Sequence, residues 1–207
     1  MEWFTAFIIS LTAAISAIGA LVVTILKAKK NIENNLPKKL QKQCDLNTEI
    51  IQRMEQMKEI LRADRIQIYD FHNGGHYANG RSALKTSCTF EVVRVGVQGY
   101  QMFLQALPLS AIPEFVKTLL NNKELFVKDL EEIKGCMPST YNIKHSQGVK
   151  GFYDIILEND KKEPIGFLGV QYTTAEPIKE LTLDEKNEIF KLKFFIEDKL
   201  EEMIQRV

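Results

Sequence analysis

The chain is poor in cysteine and carries no net charge, and each shortage closes off a class of protein. Its three cysteines, Cys44, Cys88 and Cys136, are odd in number, far apart and form no CxxC pair. They make neither a disulfide framework nor a zinc ribbon and read as reduced thiols. The zero net charge divides unevenly: residues 1–42 hold six Lys against Glu2 and Glu33, which leaves 21 basic and 25 acidic residues in 43–207. A body of that sign disfavours nucleic acid as a partner. With 45% hydrophobic and 26% charged residues, the composition is that of an ordinary globular chain, and one folded core is expected.

What the chain does have is a long uncharged run. From Phe4 to Leu26 there are 23 residues without a charge, which at about 1.5 Å each span roughly 34 Å of helix, enough for a hydrocarbon layer. Glu2 precedes the run and Lys27, Lys29 and Lys30 follow it, the reverse of the charge order of a cleaved signal peptide. This predicts a transmembrane helix over 4–26, single-pass, with the N-terminus out and the body cytoplasmic. Residues 27–44 then form a basic juxtamembrane linker with membrane lipids as partners, and 45–207 the cytoplasmic domain. Thr12, Ser16 and Ala20 recur every four residues, a small-residue stripe that suits close helix approach and equally the ordinary composition of membrane helices.

After Asn35, read as an N-cap region with Pro37 near the first turn, a four/three spacing runs through Leu36, Leu40, Gln43, Asn47, Ile50, Met54, Met57 and Leu61. It suits a short parallel coiled coil, and hence a homo-oligomer. It suits as well an amphipathic first helix over 45–62 packed on its own sheet.

Beyond residue 62 the period changes to two. Ile66 and Ile68 alternate with Arg65 and Gln67, and the strand runs into a turn-rich stretch, HNGGHYANG. Residues 88–97 read as a second strand, 111–121 and 126–134 as short helices, and 151–173 as an antiparallel hairpin around the turn DKKEP. Thr182 and Glu185 open a final helix with a capping box, and Ile189, Leu192, Ile196, Leu200 and Met203 share one face of it.

This order of elements resembles the GAF fold, an α+β sensor module with a central antiparallel sheet flanked by helices. The segment IILENDKKEPIGFLGVQYTTAEPIKELTLDEK is similar to that family's closing hairpin, with Ile165-Gly166-Phe167-Leu168 on the exit strand. The resemblance covers roughly residues 45–205 and implies a GAF-like cytoplasmic domain behind the one transmembrane helix. The NKxnFx3DE signature of cyclic-nucleotide-binding members is absent. FHNGG together with Lys85, Ser87, Thr89 and Glu91 also resembles a pattern in uncharacterised, often phage-encoded, proteins.

Several residues invite a chemical reading. Asp70, His72 and His76 supply metal-ligand chemistry, but Gly74 and Gly75 interrupt them and deny the imidazoles a common face, so no metal site is assigned. The glycines permit close backbone approach, so His72, Asn73, Gly74 and Gly75 are candidates to present groups to an anionic ligand. Ser87, Thr89 and Glu91 alternate along a strand, which places them on one face with Cys88, Phe90 and Val92 on the other. They are expected to converge with His72 and Asn73 on one pocket. Cys88 beside His72 or His145 is the remaining nucleophile, but the alternation sends its thiol to the apolar side. No catalytic residue is assigned and no cofactor is identified.

The expected function is a membrane-anchored, non-catalytic GAF-like sensory or docking protein. It binds a small-molecule ligand or a protein partner and passes a change through the helix of residues 36–62. The alternative is a ligand-free structural or membrane-associated oligomerising protein, for which a viral origin is open.

Overall fold

The computed structural model describes the backbone of residues 2–173 and 178–204 and, within these, the side chains of 16–27, 29, 37–173 and 178–203. The chain divides into two compact units, residues 1–46 and 47–207.

Helix α1 (Glu2–Leu61) supplies the first unit with its residues up to 46, and its last turns, 47–61, belong to the second. Pro37 lies inside this helix, not in a first turn as expected from Asn35. Thr24 Oγ1 donates back to the Ala20 carbonyl at 2.8 Å, and Gln41 Nε2 donates to Asp45 Oδ1 at 2.9 Å. Among the described residues no helix is long and apolar enough to cross a membrane. That overturns the single-pass arrangement with its outside N-terminus and cytoplasmic body. Of the uncharged run, the side chains of 4–15, Thr12 included, lie outside the described residues. The described part, Ser16–Leu26, spans roughly 16 Å at about 1.5 Å per residue, half of a hydrocarbon layer.

The second unit is built on a six-stranded antiparallel sheet of order β3-β2-β1-β6-β5-β4. In chain order the strands are β1 (Arg65–His76), β2 (Ser82–Val93), β3 (Leu107–Pro108), β4 (Glu124–Val127), β5 (Gly151–Glu158) and β6 (Pro164–Tyr172). Helices α2 (Pro113–Asn122) and α3 (Pro138–Ser146) lie between β3 and β5 in the chain, and α4 (Leu183–Ile204) closes it. The capping box of α4 is present: Glu185 N donates to Thr182 Oγ1 at 3.2 Å, and Thr182 N to Glu185 Oε2 at 2.7 Å.

Each sheet face carries its own core. On one, Ile50, Met54, Met57 and Leu61 of α1 pack with Ile189, Leu192, Ile196 and Leu200 of α4 over Ile66, Ile68, Ile155, Leu168 and Val170. The apolar end of the four/three seam thus serves this core, since a face that is fully buried at home presents nothing to a partner helix. Of the rest, Leu40 is exposed and the side chain of Leu36 lies outside the described residues. On the other face, Phe115 and Leu119 of α2 and Tyr141 of α3 meet Tyr69, Phe152, Ile156 and Phe167.

Three elements depart from expectation, the first being the second strand, expected over 88–97 and found as β2 over Ser82–Val93. HNGGH is strand, not loop: β1 continues through it opposite β2, with an irregularity between Asn73 and His76 where Gly75 sits at φ +103°. The turn comes later, closed by Tyr77 N to Arg81 O at 2.9 Å and Gly80 N to Tyr77 O at 2.8 Å. The expected helix over 126–134 is instead β4 followed by a 3-10 turn, Leu130–Ile133, whose Asp129 cap accepts from Glu131 N at 3.0 Å.

Candidate ligand cavity

The sequence alternation on β2 fails at one residue. Ile68 pairs with Phe90 and Tyr69 with Cys88, so Thr89 is the extra residue of a β-bulge. Phe90 and Val92 pack in the α1/α4 core, whereas Cys88 packs in the α2/α3 core, although all three share sequence parity. The bulge therefore sends Glu91 and Ser87 to opposite faces, and the expected single polar row does not exist.

His72 and Ser87 do come together. His72 Nε2 lies 2.9 Å from Ser87 Oγ, which also accepts from Ala106 N at 2.8 Å. His72 and Asn73 border an open hollow of about 340 Å³ with Lys85 and Leu84. A Cβ on Gly74 would fall 2.9 Å from the Ala83 carbonyl, so Gly74 is there for close strand approach. Thr89 Oγ1 donates to the Ile68 carbonyl at 3.3 Å. Among the described residues no group of three or more His, Cys, Asp or Glu stands where it would hold a metal ion. Cys88 is buried, and burial raises its thiol well above the ordinary range, so it is no ready nucleophile.

Glu91 lies on the α2/α3 face, buried, and accepts from Gln67 Nε2 at 2.7 Å, Tyr100 N at 2.8 Å and Gln101 N at 2.8 Å. Arg65 Nε is 3.4 Å away. Gly99 leaves room for this carboxylate, because a Cβ there would sit 2.9 Å from Glu91 Oε2. Arg65 also donates to Gln171 Oε1 at 2.6 Å and to the Gln98 carbonyl at 2.7 Å. Burial lowers the pKa of this guanidinium, and the neighbouring Glu91 charge opposes the shift. Glu91 and Arg65 together hold the segment after β2 in place.

The cross-strand register extends this polarity across the sheet. Glu91 pairs with Gln67, Gln67 with Gly169, and Gly169 with Asp154, a row across four strands. Gly169 has to be small: a Cβ would fall 2.7 Å from Asp154 Oδ1. Above the row, Lys144 of α3 reaches Asp154 Oδ2 at 3.0 Å, both side chains being almost wholly buried. Burial pushes the Asp154 carboxyl up and the Lys144 ammonium down, each opposed by the other's charge. The Lys144 ammonium also stands 3.9 Å from the centroid of the Phe152 ring.

Between this face and helices α2 and α3 lies a cavity of about 40 Å³. Its aromatic wall is Tyr69 stacked on Phe167, ring centroids 4.4 Å apart and 8° from parallel, with Phe115 edge-on at 5.4 Å. Its polar wall is Thr86, Thr140, Lys144, Gln147 and Gln171. Thr86 Oγ1 and Gln147 Oε1 are buried and make no hydrogen bond within the protein, whereas Gln171 is engaged by Arg65 and Gln67. An outer cleft of about 490 Å³ shares Leu104, Leu107, Ile143 and Gln147 with the cavity and opens beside Tyr100 and Phe103. An apolar recess with a few convergent polar groups is the usual form of a small-molecule site.

The expected site residues His72, Asn73, Gly74, Gly75, Ser87, Thr89 and Glu91 do not line this cavity. Of the residues that do, Gln171 carries a signal in the sequence, a polar break in the apolar strand FLGVQY; Gln67 and Asp154 break RIQIY and FYDIIL in the same way and are bonded to the lining Gln171 and Lys144.

No protein-family model matches the chain, and no curated protein matches it. Solved structures do. A far-red cyanobacteriochrome photoreceptor aligns with a TM-score of 0.60 at 12% identity, over 85% of this chain and 97% of that one. The blue-light-absorbing form of the PixJ GAF domain of Thermosynechococcus elongatus gives 0.59 at 16%, over 82% and 94%. A GAF domain region of a Geobacter sulfurreducens PCA protein gives 0.55 at 14%, over 78% and 97%. The fold is thus GAF-like: a six-stranded antiparallel sheet with flanking helices.

Proposed function

We propose that this GAF-like domain is a non-catalytic sensory module that binds a small molecule in the cavity between its sheet and helices α2 and α3. The observation that carries the reading is the pair of buried, unpartnered polar atoms, Thr86 Oγ1 and Gln147 Oε1, on two residues that line one cavity beside a stacked aromatic wall. Leaving a polar atom buried without a partner costs roughly 1–3 kcal/mol, a cost that a bound ligand relieves.

The same wall is wired to the end of α1. Gln171 accepts from Arg65, and the adjacent Asp64 accepts from Thr173 N at 2.6 Å and is ion-paired with Arg94. Tyr172 OH reaches the last carbonyl of α1, Leu61 O, at 3.3 Å. A ligand that shifts Gln171 therefore shifts the junction of helix and sheet, which is what a sensor needs. The neighbours that share the fold include photoreceptors, which take a signal at the same kind of domain.

Native mass spectrometry of the full chain tests the proposal. A small-molecule adduct should leave with the purified protein and vanish in Ile112→Trp, whose indole would fill the cavity from its buried rim position. An adduct that persists in a folded Ile112→Trp protein would place binding elsewhere and refute the reading.

A further inference from the structure

Accepting the cavity as a ligand site, we propose that its ligand is uncharged and largely apolar, with a single N–H or O–H donor at its inner end. Two cations stand near the inner wall, and both are already used. Lys144 is paired with Asp154 at 3.0 Å, and Arg65 with Glu91 at 3.4 Å. Drawing either one towards a phosphate or carboxylate would strand a buried carboxylate, a cost of several kcal/mol that an anionic ligand would have to outweigh.

The outer cleft offers an anion nothing instead. Among the described residues no charged side chain lines it, and the chain segment from Val95 to Pro113, which supplies most of its rim, contains no charged residue at all. An anion entering there loses its hydration without gaining a counter-charge. Apolar surface is abundant: Leu104, Leu107 and Ile143 form the neck, and Phe103 stands at the mouth 75% exposed, ready to be covered.

The donor follows from what is left unpaired. Gln147 Oε1 only accepts, and the Thr86 hydroxyl both accepts and donates, so a donor on the ligand satisfies the first and tolerates the second. Size divides the molecule in two. The inner cavity of about 40 Å³ takes a small polar head, a single water needing about 10–15 Å³. The cleft of about 490 Å³ takes the apolar remainder.

Two fluorescent probes that differ by one charge test this on the full chain. N-phenyl-1-naphthylamine is uncharged and has one N–H; 8-anilino-1-naphthalenesulfonate is the same skeleton with a sulfonate. The uncharged probe should bind saturably and at least about tenfold more tightly than the sulfonate, a gap of about 1.4 kcal/mol. Ile143→Trp, which closes the neck, should abolish its binding, with circular dichroism verifying the fold and Leu107→Trp giving a second closure of the same neck. Equal or tighter binding of the sulfonate, lost in the same variants, would overturn the uncharged ligand while leaving the cavity as the site. Binding of neither probe, or binding that survives both closures, would overturn this inference and the cavity reading together.

Discussion

Glu91→Ala is the most informative single substitution, because the structure makes this carboxylate part of the buried framework and not of a pocket. A pocket carboxylate would be dispensable for stability; the Glu91 observed here is buried against Arg65 and accepts from Gln67 Nε2, Tyr100 N and Gln101 N. Removing it leaves the Arg65 guanidinium, itself 1% exposed, without its counter-charge. Breaking one side of a buried pair costs roughly 3–5 kcal/mol. The two loop amides add less, since they can turn to water. Urea unfolding followed by far-UV circular dichroism should register this as a midpoint lowered by about 1.5–2.5 M, at a slope of about 2 kcal/mol per M. A control separates the stranded charge from lost packing: Arg65→Met combined with Glu91→Met should be less destabilised than Glu91→Ala, because replacing both members of a buried pair by apolar groups is often close to neutral. A loss below about 1 kcal/mol for Glu91→Ala would refute the argument that this pair anchors the segment after β2.

Ile50→Asp should unfold the second unit rather than merely dissociate an oligomer, since Ile50 is 0% exposed in the α1/α4 core; an unchanged melting temperature would return the seam to a partner helix. Gly169→Ala should destabilise by about 1–3 kcal/mol, the usual cost of overpacking, because its Cβ meets Asp154 Oδ1 at 2.7 Å, and unfolding by urea measures it. Asp70→Asn should raise the unfolding midpoint at pH 7. Burial raises the Asp70 pKa above its ordinary 3.8, so the folded state holds that proton more tightly, and the stability it contributes is complete below pH 3.8 and lost as pH rises through the folded value. The advantage of Asn should therefore disappear in melts below pH 3.8, and a variant no more stable at pH 7 would show that burial does not penalise this charge.

The hairpin of β5 and β6 and the helix α4 were legible in the sequence because their signals are local. A polar turn between two apolar runs and a Thr-x-x-Glu box act within a few residues and need no partner to be recognised. The amphipathic face of α1 was legible too, but not what it covers, since a four/three spacing is the same whether the facing surface is a second helix or the chain's own sheet. The apolar run of residues 4–26 shows the limit of composition: it predicted a span that the described part of the helix does not supply.

What only the tertiary structure decided is the site. The bulge at Thr89 inverts the facing of every residue beyond it, and one inserted residue in a ladder leaves no mark in the sequence pattern until the pairing with Ile68 and Tyr69 is known. Gln67, Asp154 and Gln171 are visible one by one as polar breaks in apolar strands. That Gly169 lines up Gln67 with Asp154, that Lys144 descends from α3 to neutralise Asp154, and that Gln147 is left unpaired beside stacked rings all depend on contacts between residues far apart in the chain. Periodicity reports which face a residue takes along one element; it is the packing of separate elements that brings two charges within 3.0 Å and encloses a cavity between them.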